Sequence, residues 1–174
     1  MRTFERLEFW EEVRFQNGTV FGSRGLALTR SEDGHWEEDD QEDCLIIEAD
    51  VSIGANCTIH RGGWRPTHIH AGCRIGAQVN IGHNVVLGEN VLVAPQVSIA
   101  GSATVGDGAV IWQGAMIHQR VSIGRGAVVG MGAVVLEDVP PGAVVVGNPA
   151  KPIKRRPAFG GTVGADCSGG APGC

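Results

Sequence analysis

The sequence predicts an all-β fold, a parallel β-helix of about five coils, and three observations carry that prediction. Aliphatic residues recur with a period of six. Ile69, Ile75, Ile81, Leu87, Val93, Ile99, Val105, Ile111, Ile117, Ile123, Val129 and Val135 are twelve consecutive guide positions, and Ile47, Ile53 and Ile59 extend them backwards across one ten-residue step. Four residues after each guide stands a second small apolar residue, from Val51, Cys57 and Cys73 through Val85 and Ala103 to Ala133 and Val139. Neither a 3.6-residue period nor simple alternation generates this pattern. Finally, glycine is abundant at 27 residues while aromatics make up only 5% of the chain, with no tyrosine. A core of stacked Val, Ile and Ala fits that composition better than layered sheets and helices do.

A period of six implies one short strand and one corner per repeat. Three repeats close an 18-residue triangular coil, and coils stack at the strand spacing of about 4.8 Å. Fifteen repeats then give five coils, roughly 24 Å tall at that spacing. Each coil is stabilised chiefly by its neighbours. Glycine or alanine follows many guides (Gly54, Gly76, Gly82, Gly88, Ala94, Ala100, Gly106, Gly124, Gly130), which suits tight corners. Residues 1–44 fall outside this repeat and are expected to cap its lower end, where unpaired strand edges would invite aggregation. Their acidic run, Glu37 to Asp43, reads as a solvated loop. The repeat occupies residues 45–140. Residues 141–158 form an exit segment with a short helix, opened by the turn Pro140-Pro141-Gly142. Residues 159–174 form a disordered tail.

Composition narrows the function. A net charge of −5 argues against a nucleic-acid partner. Five cysteines without a C-x-x-C pair argue against a disulfide framework or a zinc knuckle. No apolar run approaches the ~20 residues of a membrane span, and the charged N-terminus is not a signal peptide. A cytoplasmic protein is the expectation.

The repeat also supplies coordinates for chemistry. Residues 18 apart stack, and the four-residue insertion within His60–His68 (HRGGWRPTH) makes that offset 22. His83 then lies above Arg61 and below Gly101, Gln119 and Glu137. The neighbouring column contains His60, Gly82, Ala100 and His118. Three histidines therefore gather on one edge beside a loop that interrupts the solenoid, a usual place for binding. An imidazole there can take a proton from an amine or hydroxyl. The Gly101 N–H, one coil above, can face a developing oxyanion. With no Ser-His-Asp arrangement visible, direct attack is favoured over an acyl-enzyme. His70 and Trp112 replace the usual small corner residue, either as contacts to a neighbouring subunit or acyl donor, or as exposed substitutions.

The I-G-x-x-V-x signature resembles the hexapeptide-repeat acyltransferases, and this resemblance alone implies a left-handed coil. The stretch from Cys57 to Val85, CTIHRGGWRPTHIHAGCRIGAQVNIGHNV, and the following VLVAPQVSIAGSATVG resemble the UDP-3-O-acylglucosamine N-acyltransferases of lipid A synthesis. The resemblance implies His83 as general base and Gly101 as oxyanion donor. On that edge and its insertion, acceptor contacts are expected from His60, Arg61, Trp64, Arg65, Asn84, His118 and Arg120. This chain departs from the family at His60, where the family has aspartate, and at Arg120, where it has a further histidine. The segment VVVGNPAK, Val144 to Lys151, resembles the exit of acetyl-CoA-dependent enzymes that acetylate nucleotide amino sugars. There it implies coenzyme A contacts from Gly147, Asn148, Pro149, Ala150, Lys151, Lys154 and Arg155, with Arg156 adding charge. Such a family places a second histidine where Leu92 stands, and neither family's N-terminal nucleotide-binding domain is present.

The resemblances imply a homotrimer that moves an acyl group, chiefly acetyl, from acetyl-CoA or another acyl-CoA to a nucleotide-linked amino sugar. An acyl carrier protein thioester is the alternative donor, and no metal is expected. A γ-type carbonic anhydrase shares the IGHN sequence, but Gly88 stands where that pattern needs another histidine ligand. A non-catalytic assembly module is the remaining alternative.

Overall fold

The computed structural model describes residues 7–154. Its architecture is the expected left-handed parallel β-helix, an all-β prism of three faces. The first face stacks Leu7–Phe9, Leu45–Ile47, Thr67–Ile69, Val86–Leu87, Thr104–Val105 and Ser122–Ile123. The second runs from Arg14–Phe15 up to Val144–Val146, and the third from Val20–Ser23 up to Val134–Val135. From Ile47 to Ile117, every guide residue pairs with the guide above it. Leu87 lies beside Val105, 18 positions on, whereas Ile81 pairs with Ile59, 22 positions back. The insertion therefore bulges outward without disturbing the register. The guides and the residues four further on form one continuous column, with Ile47, Ile59, Ile81, Ile99, Ala109 and Ala127 fully buried.

The coil count is about six, one more than the sequence analysis expected. The additional coil is made by Leu7–Phe9, Arg14–Phe15 and Val20–Ser23, within the segment read as lying outside the repeat. Phe9, Phe15 and Phe21 occupy guide positions six residues apart and pair with Ile47, Ile53 and Ile59. Aromatic guides were invisible to a search for aliphatic ones. Among the described residues no further coil lies below this one, so large rings can spread across the opening. The three rings pack on one another with centroids 5.1–6.2 Å apart, two of the contacts edge-to-face.

Between this coil and the next the chain makes an excursion, residues 24–44. Its arm is an antiparallel hairpin of Leu28–Arg30 and Trp36–Glu38. The acidic run read as a loop thus begins in a strand. At the other end, described residues 141–154 contain no helix. Val144–Val146 continues the second face, and Lys151–Pro152 folds back antiparallel to it, with the Gly147–Ala150 turn between.

The corners explain the spacing of small residues. The left-handed backbone conformation falls three residues after most guides, at Asp50, Asn56, Asn84, Asn90 and Ser102 among others, and at glycines such as Gly72. Short polar side chains and glycine tolerate that region. The glycine just after the guide serves a different purpose. A Cβ on Gly54 would stand 2.5 Å from the Ala77 nitrogen, and one on Gly82 would stand 2.7 Å from that of Gly101. These positions are small because the next coil passes directly over them.

Two predictions follow from this core. Ile99→Ala removes a fully buried guide and should cost about 2–5 kcal/mol in urea unfolding. Burial pushes the Cys73 thiol up to about 11, whereas an unfolded thiol titrates near ~8.5. Below that window both states hold the proton. Through it the unfolded chain loses a proton that the folded chain keeps, so stability should fall between about pH 8.5 and 11. Cys73→Ala should flatten that part of the stability profile.

Candidate functional site

His83 sits at the corner between the third and first faces, and three separate segments converge on it. The first is its own corner. Asn84 adopts φ 60° and is fully buried. Its Nδ2 donates to the Arg65 carbonyl at 2.6 Å, which fixes the orientation of the amide. Its Oδ1 therefore faces His83 Nδ1, 2.6 Å away. An amide oxygen only accepts, so Nδ1 carries a proton, and in the neutral imidazole Nε2 is the nitrogen with the lone pair.

The second segment is the insertion. Arg65 Nε donates to the Asn84 carbonyl at 3.0 Å, and its Nη2 to the Ser102 carbonyl at 3.3 Å. The buried Thr67 hydroxyl accepts from the Asn84 N–H at 2.9 Å. The exposed Trp64 ring lies 4.9 Å from the Arg65 guanidinium carbon. The loop is thus tied to the coil by Arg65, while Trp64, stacked on that guanidinium, stays exposed.

The third segment is the 24–44 excursion, and sequence reasoning missed it. The Gln41 side chain is buried and forms a two-point bond with the Gly25 backbone, accepting from its N–H and donating to its carbonyl, both at 2.6 Å. This clasp lays Gly25 against the imidazole, where a Cβ would stand 2.8 Å from His83 Cδ2. A pocket of about 370 Å³ results, lined by Leu26, Ala27, Leu28, Asp39, Asp40, Gln41, Gly63, Trp64, His83, Asn84, Ser102, Gln119 and Arg120. Nothing periodic marks Gln41. Its partner Gly25 is 16 residues away, across the hairpin.

Gly101 lies directly over His83, as the stacking predicts. The Ser102 N–H donates to the His83 carbonyl at 2.8 Å, and a Cβ on Gly101 would meet Nε2 at 2.5 Å. Only glycine leaves the space in front of the free lone pair open. The arrangement can accept a proton at Nε2 from a group held in the pocket that His83 lines.

The other expected residues divide. Asn84, Trp64 and Arg120 line the pocket, and Arg65 braces it from behind. His60 is engaged elsewhere. Its Nδ1 donates to the Arg24 carbonyl at 2.9 Å and lies 3.1 Å from the Ser23 hydroxyl, while Nε2 is 3.2 Å from Asn80 Oδ1. Arg61 is half-buried below, its N–H bonded to the Ser23 carbonyl. His118 is exposed, its ring Nδ1 lies 3.2 Å from the neighbouring Gln119 carbonyl, and it is not among the pocket residues. The histidines share an edge but do not form one cluster. Gly147, Asn148, Pro149 and Lys151 are exposed at the turn after the second face, with Ala150 and Lys154 beside them. That turn lies at a different corner from His83, so one chain does not bring the two together. Arg155 and Arg156, like the expected tail, lie outside the described residues. Trp112 is half-buried in a shallow apolar pocket of about 300 Å³ with Leu92, Val93 and Pro95 on the second face.

Comparison with known proteins agrees with the fold. Residues 66–101 and 102–137 match the family described as bacterial transferase hexapeptide (six repeats), and residues 44–79 match the hexapeptide repeat of succinyl-transferase. Together these matches span residues 44–137, so over that stretch the chain is similar to the hexapeptide-repeat families. Among curated relatives, it is 44% identical over 59 residues to the UDP-3-O-acylglucosamine N-acyltransferase of Methylobacillus flagellatus, covering 34% of this chain and 17% of that protein. It is 42% identical over 71 residues to the same enzyme of a Marinomonas species, covering 41% and 20%. The chain therefore matches about a fifth of these relatives' length. The UDP-N-acetylglucosamine O-acyltransferase of Moraxella catarrhalis superposes with a TM-score of 0.76 at 26% identity, over 86% of this chain and 56% of that one. Its counterpart from Bacteroides fragilis, at 21% identity and a TM-score of 0.73, shares the fold.

The Gln41 clasp can be tested directly. Gln41→Ala leaves the Gly25 N–H without its partner and its carbonyl with only the Ala27 N–H, a local cost of about 1–3 kcal/mol. Limited proteolysis should cut the arm between residues 26 and 40 markedly faster than in the wild type, with the coil itself left intact.

Proposed function

We propose that this protein is an acyltransferase in which His83 Nε2 is the general base and the Gly101 N–H stabilises the developing oxyanion. The observation that carries this reading is the fixed tautomer. Asn84, locked by the Arg65 carbonyl, holds the proton on Nδ1 and leaves the Nε2 lone pair of the neutral imidazole beside Gly101. The acceptor nucleophile loses its proton to Nε2 as it attacks the thioester carbonyl. The tetrahedral intermediate then collapses, the carbon–sulfur bond breaks, and the thiolate leaves with the proton that Nε2 returns.

The acceptor is an amine on a nucleotide-linked sugar. Asp39 and Asp40 line the pocket, and two carboxylates favour a group that arrives as an ammonium over a hydroxyl; it sheds one proton to solvent to become the free amine before His83 takes the second during attack. Arg120, in the same lining, suits a phosphate. The curated relatives named as N-acyltransferases support the same bond type. The donor is acetyl-CoA or another acyl-CoA, held at the Gly147–Lys151 turn with Lys154 and Arg155. Because that turn and His83 occupy different corners, the site is completed by a second copy in a homotrimer, acting in the cytoplasm. An acyl carrier protein thioester is the second donor reading, favoured by the lipid A relatives.

The test is thiol release from acetyl-CoA across a panel of UDP- and dTDP-amino sugars. Turnover should fall by ~10² or more in His83→Ala. Gly101→Ala should impair it comparably, because its methyl displaces the imidazole. Activity only with a long acyl carrier protein thioester would select the second donor. No turnover with either donor, and no effect of His83→Ala, would sink the acyltransferase reading. Light scattering should give three copies per particle.

A further inference from the structure

A second constellation lies at the corner between the first and second faces, away from the His83 corner. Glu48, His68 and His70 converge there, and their ligand atoms all lie within 4.8 Å of one another. His68 Nε2 is 2.8 Å from Glu48 Oε1, and His70 Nδ1 is 3.1 Å from the same oxygen. The other carboxylate oxygen accepts from the Ala71 N–H at 3.1 Å, which steers Oε1 toward the two rings. Each side chain is largely but not wholly covered, at 16% exposure for Glu48, 25% for His68 and 33% for His70.

The placement departs from the repeat in a coordinated way. Glu48 and His70 each occupy the position just after a guide, in successive coils of one column. That column continues upward as Gly88, Gly106 and Gly124, and a Cβ on Gly88 or Gly106 would stand within 2.6 Å of atoms in the coil above. Two large side chains thus stand where the stacking elsewhere demands glycine. His68 is the outward residue of the intervening strand, fixed between the buried Thr67 and Ile69. None of the three contributes to the hydrophobic column or to the His83 pocket.

We propose that Glu48, His68 and His70 form a binding site for a divalent first-row transition-metal ion of the zinc class. Two neutral imidazoles and one carboxylate are the donor set that such ions prefer. Zinc bonds of roughly 2.0–2.1 Å in tetrahedral geometry separate ligand atoms by about 3.3 Å. The observed 2.8 and 3.1 Å need to widen by only a few tenths of an ångström. The rings, stacked with centroids 3.9 Å apart, must open like a book, and their solvent-exposed sides leave room for it. On binding, each neutral imidazole moves its proton to the remote ring nitrogen, and the nitrogen nearest Glu48 takes the metal. The fourth position is left to water. Because Glu48 belongs to one coil and both histidines to the next, the ion clamps the two coils together.

The site rests on none of the acyltransfer reading, and its test uses neither thioester nor sugar. Full-length protein, freed of metal by chelation, is titrated with Co²⁺ while its visible d–d absorption is followed. One equivalent should saturate it. Zinc at a hundredfold excess over Kd should raise Tm by about 5–10 °C, reversed by chelator. Glu48→Gln, which keeps the shape, and His68→Ala and His70→Ala should each weaken Co²⁺ binding at least about tenfold. Their circular dichroism should remain that of the wild type. His35→Ala, at an exposed histidine, should leave binding unchanged. An absence of saturable Co²⁺ absorption in the wild type overturns the proposal. So does equal binding by Glu48→Gln and the wild type, which would leave the cluster as a hydrogen-bonded histidine pair on a carboxylate.

Discussion

The structure depends on the stacking of one coil on the next. Each strand is only two or three residues long in the repeat, too short to be stable alone. What holds it is the ladder of backbone hydrogen bonds to the coils above and below, such as Gly82 N–H to the Ile99 carbonyl at 2.8 Å, and the aliphatic column inside. That close passage of coils accounts for glycine after the guide, for left-handed corners three residues on, and for a core that has room for Val, Ile and Ala but not for rings. Rings appear as guides only where the stack ends, at Phe9, Phe15 and Phe21.

The same constraint builds the candidate site. A regular solenoid presents nearly identical corners, so specificity has to come from what interrupts it. Here two interruptions meet at one corner. The His60–His68 insertion supplies Arg65, whose carbonyl orients Asn84 and through it His83. The 24–44 excursion supplies the arm, fastened by Gln41 to Gly25. The coil contributes a rigid base and a glycine overhead, while the irregular segments contribute the walls. The Glu48, His68 and His70 cluster follows a related logic, since it too stands where the repeat's demand for small residues is broken.

Much of this was legible beforehand because a period of six converts sequence position into spatial position. Ile81 beside Ile59, and Gly101 above His83, follow from counting. The first coil was readable in principle from Phe9, Phe15 and Phe21, but only to a search that admitted aromatics as guides. Counting failed where the chain leaves the ladder. The arm's return to His83 depends on a buried glutamine in an otherwise charged run. The expected grouping of His60 and His118 with His83 assumed that a shared edge means shared contacts. In fact His60 turns toward Ser23, Arg24 and Asn80.

The sequence by itself determined the coil, its register, its inward column and the stacking of His83 below Gly101. Each of these is local periodicity propagated through nearest-neighbour contacts. Only the tertiary structure decided which nitrogen of His83 carries the proton, that a distant arm walls its pocket, and that Glu48 lies against two histidines. Those features depend on side-chain direction and on contacts between segments with no fixed spacing, which periodicity does not encode.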